Sequence, residues 1–393
     1  MPTFAPFPGL RFDASTHDPA DVTAPPYDVL DDDDRAALCA RHPHNVVCVD
    51  LPRAVGAEDP YEEAAATFAS WLADGVLQAD PTAFYVYRMS WLDPDGTPAS
   101  TSGALGALTL SEPGEGGILP HERTTPKAKS DRLRLLQSTR VNLSPIWGLT
   151  PAPGFSALLA VDGPPTVGFT DDVGITHELW VVTDAARVAA IAEAVAASPV
   201  VIADGHHRFE TSLAYRNERR AGGIDDAGAE ATLAWVVALS ADELRVGPIH
   251  RLFTVDDSIE GVLEALTDRF TVTPLDRDEA YSANDAGRGP IVIDGSSAWL
   301  LEARAGTTDG LPDLDSARID AALHELDGLG VAYEHDHAKI ERHVRGDRTM
   351  AAVLLRPATV AQILEIAEGG QRMPPKTTLF VPKPRTGMVF RQL

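Results

Sequence analysis

A chain of 393 residues, 44% hydrophobic and 23% charged, has the composition of an ordinary globular protein and can bury a large core without metals or disulfides. Its 33 basic residues stand against 58 acidic ones, and the net charge of -25 disfavours nucleic acid and anionic lipid as partners. A small anionic ligand therefore needs a local gathering of positive charge, and no run approaches the ~18 apolar residues of a membrane span.

The opening segment, Met1 to Phe12, holds three prolines and no apolar stretch of the signal-peptide kind, which predicts a cytoplasmic protein. Cys39 and Cys48 show no metal-knuckle spacing and are expected to be small buried apolar residues in a reducing compartment. Tyr61, Ala64, Phe68, Trp71 and Leu72 recur at helical spacing and predict an amphipathic helix over 60–75. Phe84 to Trp91 and Thr101 to Leu110 predict a strand pair around the turn at 93–96. A helix is expected from Pro126, behind the cap Thr125, to about Arg140, with a strand from Pro145 to Leu149.

In the middle of the chain, strand-like 179–182, an Ala-rich helix over 184–197, the apolar strand 200–203 and a helix from about His206 alternate as in α/β folds. Further strands are expected at 232–239, 290–294 and 351–355, and a helix at 359–368. The segments 275–289 and 304–315, rich in Asp, Gly and Pro, read as surface excursions. Met373 to Phe390 combines prolines, lysines and apolar residues, as in an ordered strand that packs back on the body. The expected fold is mixed α/β, with an N-terminal region at 1–150, a central region at 151–330 and a C-terminal segment at 331–393.

The strongest local signal is Asp204-Gly205-His206-His207-Arg208, where the apolar strand ends and a helix begins. Gly205 permits a tight turn, and unpaired N–H groups at a helix start favour anions. Two imidazoles and the Arg208 guanidinium strengthen that preference, while Asp204 suits holding a histidine tautomer or a Mg²⁺ ion. The bland alternative is a helix cap beside packed histidines. A second candidate is the loop around Glu122, where Arg123, Lys127 and Lys129 put cations near an expected helix start, against the helix dipole. A third is the Pro-bracketed segment holding Lys376 and Lys383, equally readable as surface lysines. Pro25-Pro26-Tyr27-Asp28 and His250-Arg251 mix rigid turns with polar groups and carry little alone. The sequence contains no Walker A loop, GxGxxG, HExxH or GxSxG motif.

Taken in order, Pro25-Pro26-Tyr27-Asp28, His121-Glu122-Arg123-Thr124, Asp204-Gly205-His206-His207-Arg208, His250-Arg251, Pro374-Pro375-Lys376-Thr377-Thr378 and Pro382-Lys383-Pro384 resemble the blocks of a widespread bacterial family designated a domain of unknown function. The Asp-Gly-His-His-Arg block also resembles that of free-serine kinases with a ParB/sulfiredoxin-like core. This chain departs at Thr377, where serine is expected, and at Phe209, where tyrosine is common. The resemblance implies phosphorylation of free L-serine to O-phospho-L-serine, with Mg²⁺ and ATP, ADP or pyrophosphate as donor. Within that frame Glu122 is the expected base and Asp204, His206 and His207 complete the catalytic group. Gly205, Arg208, Arg123, Lys127, Lys376, Lys383, His250 and Arg251 are the expected phosphate or substrate contacts, and Asp204 the expected metal ligand. A phosphohydrolase, or a phosphate- or nucleotide-binding regulatory protein, would use the same cradle.

Overall fold

The long apolar runs of the first half pair edge to edge. Leu77–Leu92 and Pro98–Thr109 form an antiparallel ladder that sets Tyr85 opposite Leu105 and Met89 opposite Thr101. Phe84 to Tyr87 are all buried, so both faces of this ladder are covered. The computed structural model describes residues 1–54, 59–93, 95–112, 115–120, 129–255, 259–307, 310–324, 326, 329–347, 349–369, 371 and 373–393. It divides into two compact units.

The first unit takes in Met1–Pro120, the described residues from there to Leu244, and Pro382–Leu393. Its sheet runs in the order Ile118–Pro120, Val200–Asp204, Ile146–Thr150, Ala231–Ala238, Pro98–Thr109, Leu77–Leu92, Thr176–Val182, Val167–Thr170. Phe4–Ala5 pairs with Pro98–Thr109, and Phe7–Phe12 with Leu77–Leu92. Val200–Asp204 lies parallel to Ile118–Pro120, and Ala231–Ala238 parallel to Ile146–Thr150; the other neighbours described here are antiparallel. Phe4, Phe84, Ile146, Ile202, Phe209 and Val236 belong to one buried cluster, and Phe12, Phe68, Trp71, Leu135 and Phe390 to another.

The amphipathic helix is Pro60–Ala73, capped by Asp59; of the predicted stripe it buries Ala64, Phe68 and Trp71, while Tyr61 is half-buried and Leu72 exposed. The Ala-rich helix is Ala185–Ala196 behind the cap Asp184. Of the helix expected from Pro126, the described part is Lys129–Thr139.

The second unit includes Arg245–Val381. Its antiparallel sheet has the order Phe270–Leu275, Ala298–Ala303, Ile291–Ile293, Met350–Leu354, His250–Thr254, Val331–Glu334. A separate ribbon pairs Arg245–Pro248 with Thr378–Val381. The helix Val360–Glu368 starts at a capping box formed by Thr359 and Gln362.

The architecture is mixed α/β, as expected. Of the two expected surface excursions, one is corrected. Residues 275–289 contain the helix Ala280–Asp285, whose Ala280, Ala283 and Asn284 are buried, small side chains letting it lie close on the sheet. The described residues of 304–315 are exposed or half-buried up to Asp313, as expected of an excursion, and burial begins at Leu314 and Asp315, where the helix Asp315–Leu323 starts. The cysteines are not two separate thiols. Cys39 and Cys48 form a disulfide with Cα atoms 5.9 Å apart, so they no longer argue for a reducing compartment. Among the described residues no helix is long and apolar enough to cross a membrane.

Candidate functional site

Val200–Asp204 is an interior strand whose first four residues are buried, flanked by Ile118–Pro120 and Ile146–Thr150. Its pairing with Ile146–Thr150 becomes irregular between Ile202 and Asp204, and the backbone then turns through Gly205 at φ 85° and ψ 26°. That left-handed conformation favours glycine. Space demands it too. A Cβ at residue 205 would stand 3.0 Å from Arg208 Nε and 3.1 Å from its Cζ. Glycine thus makes the turn and leaves room for a guanidinium folded back over it.

The helix His206–Ala221 starts at once, as the sequence predicts. Arg208 Nη2 donates to Asp204 Oδ2 at 2.7 Å, and Nη1 donates to Ser144 Oγ at 3.2 Å and to the Pro145 carbonyl. The fork is therefore fixed before any ligand arrives. The other Asp204 oxygen, Oδ1, lies 3.1 Å from Lys383 Nζ, which also pairs with Asp28. Burial by itself would raise the Asp204 pKa, but Lys383 and Arg208 hold it below the usual carboxylate range. Burial would lower that of Lys383, but Asp204 and Asp28 raise it. Both groups stay charged at neutral pH. His207 Nε2 is buried without a hydrogen-bond partner among the described residues, and the charge of His206 helps keep Asp204 ionised.

Lys383 reaches Asp204 because the chain end is tied down. Ala24 bridges Thr386, Leu10 bridges Phe390, and Arg391–Gln392 pairs with Val141–Asn142. The backbone N–H of Arg385 donates to Tyr87 Oη at 3.3 Å, and the Arg385 guanidinium donates to Thr23 Oγ1 and to the Thr23 carbonyl, both at 2.9 Å. Tyr87 Oη meets His177 Nδ1 at 2.8 Å, and His177 Nε2 meets Asp171 Oδ2 at 3.1 Å. Two residues from Lys383, this buried network anchors the segment that carries it.

Asp28 follows Tyr27 in a short 3₁₀ turn after Pro25-Pro26. The guanidinium of Arg132 lies 4.4 Å from the Tyr27 ring centroid, and its Nη1 donates to the Asp50 carbonyl at 2.7 Å and to Asp50 Oδ1 at 3.1 Å. Residue chemistry alone gave Asp28 little weight, and no sequence signal pointed to Asp50, Arg132 or Ser144. Their roles depend on which strand ends and helix faces come together.

The structure brings Asp204, Gly205, His206, His207, Arg208 and Lys383 together in the first unit. Glu122, Arg123 and Lys127 lie outside the described residues, as does the Lys129 side chain. His250, Arg251 and Lys376 belong to the second unit. There His250 Nδ1 accepts from the Leu355 N–H at 2.9 Å. Arg251, fully buried, donates to Asp320 Oδ1 and Oδ2 at 2.8 and 3.0 Å and to the Lys376 carbonyl at 2.7 Å. Lys376 adopts φ 57°, and its residue is exposed.

Asp204 does not fit the expected Mg²⁺ ligand. One of its oxygens faces Lys383 and the other Arg208, and among the described residues no group of three or more His, Cys, Asp or Glu could hold a metal.

Residues 4–327 match the family model described as "Protein of unknown function (DUF1015)". No curated protein matches the chain in sequence. Similar solved structures include a free serine kinase mutant in complex with AMP, at 13% identity and a TM-score of 0.40, covering 67% of this chain and 84% of that one. A conserved hypothetical protein from Pyrococcus furiosus aligns at 14% identity and a TM-score of 0.38, over 67% of this chain and 87% of that one. SbnI with a C-terminal truncation, from Staphylococcus aureus, aligns at 10% identity and a TM-score of 0.42, over 72% of this chain and 85% of that one.

Proposed function

The chain belongs to the DUF1015 family, and from that premise we propose that it is a small-molecule kinase transferring a phosphoryl group to free L-serine, giving O-phospho-L-serine. One observation carries the reading: Lys383 stands between the carboxylates of Asp204 and Asp28, where the Asp-Gly-His-His-Arg turn opens a helix. Phosphoryl transfer needs fixed positive charge and N–H donors around a moving, multiply charged group. Lys383, held charged by its two carboxylates, supplies that charge. Arg208 reinforces it, and the first N–H groups of the helix face the same end.

In this reading Asp204 orients Lys383 and Arg208. His207 Nε2, which lacks a partner among the described residues, donates to a phosphoryl oxygen when protonated. Glu122, Arg123 and Lys127 keep their proposed parts as base and further cations, and the ParB/sulfiredoxin-like core remains what the motif implies. Mg²⁺ is assigned to the donor, entering on its phosphates, because Asp204 is already paired with cations.

The test is to incubate the protein with Mg²⁺, L-serine and ATP, ADP or pyrophosphate in turn, and to follow products by ³¹P NMR. Phosphoserine with one of these donors supports the reading. Release of inorganic phosphate alone replaces the kinase with a phosphohydrolase, and no turnover with any donor overturns both.

A further inference from the structure

The helix that opens at Gly205 carries Thr211 and Ser212 three and four residues beyond Arg208, on the same face. They line a cavity of about 50 Å³ together with Tyr27, Asp50, Arg132 and Arg208. One water needs about 10–15 Å³ by this measure, so the space takes roughly four or five non-hydrogen atoms. The cavity is polar in a particular way. Asp50 and Arg132, 4% and 8% exposed, place a carboxylate and a guanidinium in one wall. Ser212 already shares its hydroxyl with Thr232 Oγ1 at 2.9 Å. Thr211, 4% exposed, does not: its Oγ1 is buried with no hydrogen-bond partner among the described residues. A buried hydroxyl left unpaired is costly, and here it borders a space that a ligand can fill.

We propose that this cavity binds the α-amino and α-carboxylate end of a small amino acid, a group of five non-hydrogen atoms. The ammonium faces Asp50. The carboxylate faces Arg132 and takes a hydrogen bond from Thr211 Oγ1. Asp50 and Arg132 already pair with each other, so a zwitterion, neutral overall, adds no net charge to the wall, whereas a ligand of single charge brings a buried ion with nothing to balance it. A short side chain then projects past Arg208 toward the Asp204–Lys383 pair. The inference rests on the kinase reading for its catalytic consequence and not for the binding itself, which needs no phosphoryl donor.

Titration calorimetry on the full chain without a donor tests it, with glycine, L-serine, ethanolamine and 3-hydroxypropionate as probes. Glycine and L-serine are expected to bind, and the two singly charged probes to bind at least tenfold more weakly. Thr211→Val keeps the shape and removes the hydroxyl, so it should weaken glycine and L-serine roughly tenfold. Equal binding of ethanolamine and L-serine by the unaltered protein overturns the proposal even if Thr211→Val fails to fold. Phosphoserine formation with an unchanged KM for serine in Thr211→Val also overturns it and leaves the kinase standing. Weakened glycine and serine binding in that variant, together with no phosphoserine from the unaltered protein and any donor, upholds the cavity and removes the kinase.

Discussion

Lys383 and Asp28 are 355 positions apart in sequence and form an ion pair, with Asp204 on the other side of the same ammonium, 3.1 Å away. The ammonium is mostly buried, and so is Asp204. An arrangement of one cation between two anions is stable only while all three are present, and removing the centre leaves two carboxylates facing each other.

Lys383→Met is therefore expected to cost about 1–3 kcal/mol of stability, at the low end of buried-pair losses because Asp28 is partly solvated. It should also reduce phosphoserine formation by roughly 10²-fold or more. Lys383→Arg keeps the charge and should restore most of the stability. Urea denaturation and turnover, measured on both variants, check this. A fully active Lys383→Met protein removes Lys383 from the site.

Arg208 and Gly205 are coupled through space. Arg208→Ala should lose at least ~2 kcal/mol of transition-state stabilisation, read from kcat/KM. Gly205→Ala should act in the same direction without replacing a charged residue. It places an L-residue at φ 85° and a Cβ 3.0 Å from Arg208 Nε, so the guanidinium must move. Full activity in Gly205→Ala would show that Arg208's folded-back position is irrelevant.

Glu122 is the proposed base, and Asp204 is its rival. Glu122→Gln should spare donor binding and cut turnover by roughly 10²-fold. Asp204, held ionised by Lys383 and Arg208, is a weak proton acceptor, so Asp204→Asn should act through lost orientation and lower stability. If Glu122→Gln turns over normally while Asp204→Asn is dead, the roles are exchanged.

Stability should fall with acid before the carboxylates titrate. Burial lowers His177 to about 4, against the help of Asp171, and lowers His250 to about 3. A histidine whose folded pKa lies below its unfolded value of ~6.5 stabilises the fold fully above that pH. The contribution is lost as pH falls toward the folded value. Between pH 6.5 and 5 each should withdraw up to about 2 kcal/mol. Urea midpoints across that range, compared with those of His177→Asn, measure it. A midpoint that does not change from pH 7 to 5 contradicts the buried neutral imidazoles.

The sequence by itself determined the local grammar. Helical spacing from Tyr61 to Leu72, the Ala-rich helix at 184–197, and the strand–glycine–helix step at 200–208 could be read directly, because each depends on neighbours within a few residues. It also marked Lys383 as a basic residue in a stiff segment. Only the tertiary structure decided what Lys383 meets. Its partners Asp28 and Asp204 come from a turn and a strand end far apart in sequence, and a network through Tyr87, His177 and Arg385 sets the approach. The same holds for Asp50, Arg132 and Thr211, ordinary in sequence and gathered around one cavity by packing. It holds also for Ala280 and Ala283, buried in a segment whose Asp, Gly and Pro content looked like surface. Side-chain chemistry is local, but burial and pairing are properties of surfaces that meet only after the chain has folded.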